Sequence, residues 1–396
     1  MKIAIIGGGI SAFAAAISAA KNNDVTILEK NSKVLKKLLL TGNGKCNYFN
    51  NDQDISHYHT NSNIDIKEII NPENIEKVKA FWAYLGIVPF IKNGYYYPYS
   101  ETASSMKEAL VFKAKYSGVH IITDCDITNI VKENDKFHIT SDNYQDTFDK
   151  VIIATGSYAY PITGSTGFGY DVAKSFGHTI NNVNPSLVQL VTNLGIEAKW
   201  NGVRHHAIIT DLNTKKCEEG EIQLTSFGIS GICVFNLSRD IAIGLNKSIK
   251  ESVSINFAPW CNDMLDFLNK RSKNFPKRNI MSLCESLINY KLLSAILKFL
   301  KISEDSTWNE LNTQEQEKLA EALTDFQTEI VGTKDYNSSQ VCSGGLNLAE
   351  INLNTLESKK VPNLYFCGEV LDLDGDCGGY NITIAILTGI LAGESC

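Results

Sequence analysis

No C-x-x-C pair occurs among the ten cysteines, which are spread thinly over 396 residues. That spacing argues against a disulfide scaffold, a zinc ribbon and a thioredoxin-like site. The thiols read instead as reduced groups of a cytosolic protein. The seven histidines show neither H-x-x-x-H nor H-E-x-x-H spacing, so no metal is expected. Proline is scarce at 8, and collagenous or low-complexity character is excluded. Positive charge is in deficit, with 37 Lys and Arg against 44 Asp and Glu and a net charge of −7. A protein whose main work is coating nucleic acid is thereby disfavoured, while local basic contacts with RNA stay open. Long hydrophobic runs are missing too. Residues 3–20 carry no charge, but three consecutive glycines interrupt them, and Ile382–Ala392 falls short of the ~20 residues a span needs. A membrane segment and a signal peptide are not expected.

What is present is the composition of a large folded enzyme, 43% hydrophobic and 20% charged, long enough for two or three domains. Lys2–Ile6 reads as a buried strand, Ala12–Ala20 as a small-residue helix and Val25–Leu28 as a second strand, a βαβ opening. Ser32–Asn51 is basic and glycine-containing, as a functional loop would be. Asn71–Gly86 has helical spacing, Val119–Val131 and Phe137–Thr140 read as strands, and Lys150–Ala154 as a strand running into Thr155-Gly156. After Pro185 the texture changes. Leu187–Trp260 turns to strands, with period-two alternation clearest over Ser252–Phe257. Cys261–Phe326 is helical, and Thr313-x-x-Gln316 reads as a capping box. Glu329–Thr333 and Val361–Cys367 return to strand, followed by a glycine-rich turn and a helix over Asn381–Ala392. The expectation is a split α/β domain over 1–186 and 342–396. It is interrupted by a β-rich insert over 187–260 and 326–341, which carries a helical subdomain over 261–325.

Gly7-Gly8-Gly9-Ile10-Ser11-Ala12 is a G-x-G-x-x-A turn that follows a strand and opens a helix. Gly7 permits the tight turn, Gly9 lets backbone approach a pyrophosphate, and Ala12 allows close helix–strand packing. The amides at the helix start, including that of Ser11, face the phosphates. Glu29, 20 residues after Gly9, stands where an acid grips ribose hydroxyls. Such a unit alone does not separate NAD from FAD. Two later strands do: Val151–Gly156 ends in Ala-Thr-Gly, and Leu364–Glu369 ends in Gly-Glu, both flavoprotein signatures.

The chain resembles the BaiN/RdsA-like flavoproteins, also called aminoacetone-oxidase-like FAD-binding enzymes. The resemblance rests on Leu40-Thr41-Gly42-Asn43-Gly44-Lys45-Cys46-Asn47, Tyr97–Ser100, Ala154–Gly156 with Gly164–Gly167, Ser226–Gly231, Gly344-Gly345, Gly368–Asp372, Asp374-Gly375 and Gly378–Asn381. Lys45 stands for a commoner Arg and Cys377 for a Thr. The resemblance implies an α/β Rossmann-like FAD-binding domain interrupted by a β-barrel-like insert with a helical subdomain, and non-covalent FAD held by the first turn, by Glu29, Lys30 and Lys37, and by Thr41, Gly42, Asn43, Gly44, Lys45, Cys46 and Asn47. It further implies contacts from Ile127, Thr155, Gly156, Gly368, Glu369, Gly379, Tyr380 and Asn381. The Thr41–Asn47 loop could offset negative charge through Lys45 and its amides. The amides after Gly379 suit the flavin pyrimidine carbonyl.

The expected activity is an FAD-dependent oxidoreductase that reduces an activated C=C bond. Ribosomal RNA uridine is placed ahead of a steroid-like or bile-acid enone. NAD(P)H is a candidate transient donor, and with no second nucleotide turn evident the route of flavin reduction stays open. The alternatives are an oxidase of a small amine such as aminoacetone, and a flavin-carrying RNA-binding or assembly factor without turnover. Cys46 is the candidate acid for the second carbon, against a packing role for the same thiol. His205-His206 and the Lys33, Lys36, Lys37 cluster read more readily as solvated surface. A cytoplasmic location is expected.

Overall fold

Ile3, Ala4, Ile5 and Ile6 are all buried, as a parallel strand covered on both faces requires. They form β1 (Lys2–Ile6), the middle strand of a five-stranded parallel sheet. The spatial order is Leu364–Phe366, Lys150–Ile153, β1, β2 (Asp24–Leu28) and His120–Ile122. The computed structural model describes residues 1–396 and divides them into Met1–Val183 with Gln340–Cys396, and Asn184–Ser339.

In the first unit, helix α1 (Ile10–Ala19) lies against the C-terminal helix Tyr380–Glu394. Small residues permit the close approach. A Cβ at Gly393 would stand 2.3 Å from the Ala15 carbonyl oxygen, and one at Gly389 would stand 2.5 Å from that of Ser11. Thirteen residues of the C-terminal helix are buried, Tyr380 and Ile382–Gly393, so its apolar run is core. No helix is long and apolar enough to cross a membrane.

Two expected strands are shorter than their apolar patterns suggest. Val119–Val131 divides into His120–Ile122 and Asn129–Glu133. Asp124 between them is left-handed (φ 54°), and the Asp124 and Cys125 amides donate to Asn31 and Glu29 carbonyls. Asn129–Glu133 instead joins a separate antiparallel sheet with Lys136–Thr140 and Gln145–Phe148. Val361–Cys367 reduces to Leu364–Phe366, because Val361–Leu364 is a turn with Asn363 left-handed (φ 67°).

The second unit is built on a seven-stranded sheet whose two edge strands are Phe326–Ile330 and Gly332–Thr333. These edges are nearly consecutive in the chain, so one extended segment borders both sides and the sheet curls into a barrel-like form. Its inward residues alternate, with Glu251, Val253 and Ile255 buried between half-buried neighbours. A 15-residue helix, Ile232–Asn246, lies within the stretch expected to be strands. Its β-branched and aromatic residues favour strand locally, but burial of Cys233, Val234, Leu237 and Ile241 at helical spacing decides the outcome. The helical portion comprises Met264–Asn274, Ile280–Leu283, Tyr290–Leu300 and Thr313–Thr324. The capping box sits one residue earlier than expected. Asn312 accepts from the Glu315 amide at 3.0 Å while Glu315 accepts from the Asn312 amide at 2.9 Å. Gln316 turns away to donate to the Trp308 carbonyl.

Candidate cofactor-binding site

The turn from β1 into α1 needs glycine for two different reasons. Gly7 has φ +104°, and a Cβ there would meet the Ala154 carbonyl oxygen at 2.6 Å. At Gly9 a Cβ would meet nothing of the protein closer than 4.0 Å. Protein packing does not demand glycine at that place, so the missing side chain leaves room beside the helix start. No side chain caps α1, and its first amides are left for an outside acceptor. Ser11 and Ala12 are buried within that first turn.

Glu29 follows β2 directly and is also buried. Its Oε2 accepts from the Gly8 amide at 2.6 Å, and its Oε1 from the Asn31 amide at 2.8 Å and the Asn31 side chain at 2.5 Å. A carboxylate has about four lone-pair sites, so capacity for a hydroxyl remains. Lys30 reaches the Thr166 hydroxyl at 3.1 Å, and Lys36 the Ile162 carbonyl at 2.8 Å. Lys30, expected at the cofactor, and Lys36, expected as solvated surface, are therefore both engaged with the 160–167 loop. Ile127 is buried two residues beyond the Cys125–Glu29 backbone bond.

The Thr41–Asn47 loop is left-handed at Gly42, Asn43, Gly44 and Cys46. Lys45 is exposed and pairs with Glu101 at 2.8 Å, which raises its pKa. Asn47 turns its amide nitrogen to the carbonyls of Tyr96 (3.2 Å) and Phe49 (3.1 Å). Cys46 has 0% exposure, and burial pushes its thiol up to about 11. Its burial supports the packing role rather than that of an acid delivering a proton to substrate.

Thr155 places its hydroxyl, buried and without a partner, against Gly169, and Gly156 lies against Ser165, where a Cβ would meet the hydroxyl at 3.0 Å. Gly368 packs over Ser11, where a Cβ would fall 2.5 Å from the Ser11 hydroxyl. Glu369 follows and pairs with Lys37 at 2.6 Å, also accepting from Ser157 at 3.0 Å. At the other end, Gly379 (φ +97°) opens the C-terminal helix with no side-chain cap. Asn381 is committed within the turn, accepting from the Gly375 amide at 3.0 Å and donating to the Gly375 carbonyl at 2.7 Å. What the helix start offers outward is backbone N–H.

Sequence reasoning passed over the carboxylates around this turn. Asp372 has 0% exposure and accepts from Ser62, Asn181 and the Asn61 amide, which secures the chain before the turn. Asp376 accepts from His57 Nδ1 at 3.0 Å and His59 Nε2 at 2.9 Å. The His57-x-His59 spacing, which puts both rings on one side of an extended segment, was the available signal. No group of three or more His, Cys, Asp or Glu side chains is arranged to hold a metal. Cys377, half-buried beside Asp376, has its thiol pushed up to about 11 by burial.

Room at Gly9, two uncapped helix starts and a buried acid after β2 together fit an elongated dinucleotide. Residues 1–395 match the family described as HI0933-like protein Rossmann domain. The chain belongs to the HI0933-like family. It is 35% identical over 402 aligned positions to the 3-dehydro-bile acid delta(4,6)-reductase of Clostridium scindens, covering 100% of this chain and 98% of that one. It is 27% identical to the ribosomal RNA dihydrouridine synthase of Escherichia coli K12, covering 95% and 93%. Among solved structures, the 3-ketosteroid delta1-dehydrogenase of Sterolibacterium denitrificans, in complex with 1,4-androstadiene-3,17-dione, superposes with a TM-score of 0.51. That match is 11% identical over 99% and 98% of the two chains, and it shows a shared fold. As a member of the HI0933-like family, the chain is an FAD-dependent oxidoreductase.

Proposed function

We propose that the protein reduces a carbon–carbon double bond conjugated to a carbonyl. One observation carries this reading. The two relatives differ in substrate, a bile acid against ribosomal RNA, yet both names denote saturation of such a bond, and both align over nearly the whole chain. Once reduced, bound FAD would supply the hydride. In this reading the α1 amides and Gly7–Ala12 hold the pyrophosphate. Glu29 and Lys30 hold the adenosine half, with Ile127 beside it. Lys37, Glu369, Thr155, Gly156 and Gly368 flank the middle of the cofactor. Thr41–Asn47 and Gly379–Asn381 offer backbone amides and the Lys45 charge to its ring end. NAD(P)H is the electron donor, and the cytoplasm is the location.

Both acceptors remain within this chemistry. The higher identity favours the enone, and the net charge of −7 does not favour a broad RNA interface. The test is anaerobic stopped-flow of the reduced holoprotein against a 3-keto-Δ4,6 steroid and against ribosomal RNA lacking dihydrouridine. Reoxidation by either, with saturated product recovered, is the expected result and identifies the acceptor class. Reoxidation by oxygen alone, or reduction of the oxidised protein by aminoacetone, would overturn the proposal in favour of an oxidase. No turnover with any of them would favour the carrier reading.

A further inference from the structure

His57 has a carboxylate on each side, and an ionised carboxylate only accepts hydrogen bonds. Its Nδ1 is 3.0 Å from Asp376 Oδ2, and its Nε2 is 3.2 Å from Asp52 Oδ2. With Nδ1–H donated to the buried Asp376, the bond from Nε2 to Asp52 needs a second ring hydrogen, so the two carboxylates are placed to stabilise an imidazolium when a proton arrives. Burial opposes that charge, but the bonds to Asp376 and Asp52 outweigh it and leave the His57 pKa above the ordinary histidine value. The groups facing the ring are Asp52 and Asp54 from the preceding segment, Asp376, His59 through the shared Asp376, and Tyr380.

The ring is also tied mechanically to the turn that opens the C-terminal helix. It stacks on Tyr380, the first residue of that helix, with centroids 4.6 Å apart and planes 20° apart. The Asp376 amide donates to the His57 carbonyl at 3.0 Å, and Tyr58 and His59 pair with Gly375 and Asp374. The two carboxylates are unequal. Asp376 is 10% exposed and Asp52 is 65% exposed, so the Asp52 side opens to water while the Asp376 side stays shut.

We propose that His57 takes up a proton from water when a cofactor held at the Gly378–Asn381 turn is reduced, and releases it on reoxidation. The inference rests on the flavin reading above. Two electrons and one proton reaching the cofactor leave one additional negative charge, and the second proton balances it on His57 Nε2, facing Asp52. No other bond forms or breaks. His57 is here a positioning residue that balances charge from behind Tyr380, not a group touching the reacting atoms. By linkage, added negative charge beside the turn raises the His57 pKa, and protonated His57 raises the reduction potential.

The test is a potentiometric titration of the holoprotein between pH 6 and 9, with no acceptor present, in the wild type and in His57→Gln. For a two-electron couple each proton taken up contributes about 30 mV per pH unit. The wild type should take up one more proton per reduction than His57→Gln at pH values between the His57 pKa of the oxidised and of the reduced protein, and the two curves should converge above and below that window. Asp52→Asn should keep the extra proton but move the bend to lower pH, since one of the two stabilising carboxylates is gone. Proton release and uptake read with an indicator dye at pH 7 gives the same count independently. Equal slopes and equal proton counts in wild type and both variants would overturn the proposal while leaving the flavin reading intact. If His57→Gln loses its flavin, Asp52→Asn decides: an unmoved bend counts against His57. Wild-type protein that cannot be loaded with FAD would overturn both readings.

Discussion

Lys37 Nζ lies 2.6 Å from Glu369 Oε2, which joins the loop after β2 to the turn after the last strand of the sheet, 332 residues later. The pair is about three-quarters buried, with side-chain exposures of 25% and 20%, and Ser157 adds a third bond. Removing one partner of such a pair leaves the other charge short of compensation. Glu369→Gln and Lys37→Met should each weaken FAD retention by roughly tenfold, with near-native circular dichroism. The double variant should lose less than the product of the two, because each change spoils the same interaction. Fluorescence of released FAD measures all three. Strictly multiplicative losses would show that the two residues act separately.

Glu29 bonds the Gly8 amide as well as Asn31, so truncation to alanine would loosen the glycine turn along with any ribose contact. Glu29→Gln is the cleaner probe, since it keeps the shape and one acceptor oxygen. It should cost roughly one order of magnitude in FAD affinity, the scale of a charge-assisted hydrogen bond. FMN, which lacks the adenosine half, should bind both forms equally weakly. An equal loss for FMN and FAD would place the effect in the turn instead.

Cys46 is fully enclosed and its thiol is pushed up to about 11. Cys46→Ala should therefore retain flavin and turn over within about threefold of wild type, at a stability cost of about 1 kcal/mol for a small buried cavity. Single-turnover reoxidation by the identified acceptor checks this. A large, selective slowing with oxygen reactivity preserved would restore Cys46 as the proton donor.

Acid should destabilise the first unit through Glu350. Burial raises its pKa, but bonds from Lys360, Thr179 and His178 prevail and hold the carboxyl down at about 2. A depressed carboxyl pKa contributes stability above the unfolded value of about 4.3 and loses it as pH falls toward the folded one. The contribution is of order 2–3 kcal/mol at neutral pH. Melting between pH 6 and 2.5 should show a decline below about pH 4.5 that is reduced in Glu350→Gln. Parallel curves for the two proteins would remove Glu350 from the acid response.

The nucleotide turn was legible because its determinants are local. Gly7 needs a positive φ and Gly9 is spaced from it by one residue, while β1, α1 and β2 follow one another with matching apolar patterns. The structure changes unit after Val183, and the sequence texture changes after Pro185. The helix Ile232–Asn246 was not legible, since its local propensity points to strand and only burial against the second unit's core selects the helical period.

The sequence alone determined the chemistry class, since a dinucleotide turn and flavoprotein strand ends are short-range patterns set by backbone sterics and the reach of N–H groups. Tertiary structure alone decided which side chains are spent and which remain available. Asn381 is consumed within its own turn, Cys46 is sealed, and Lys37 finds Glu369 332 residues away. His57 and His59 meet Asp376 only because the segment Tyr58–His59 pairs with Asp374–Gly375 across more than 300 residues. Such pairings depend on where the folded sheet and helices place distant segments, and charge or hydrogen-bond partnership at that range leaves no spacing for a sequence to display.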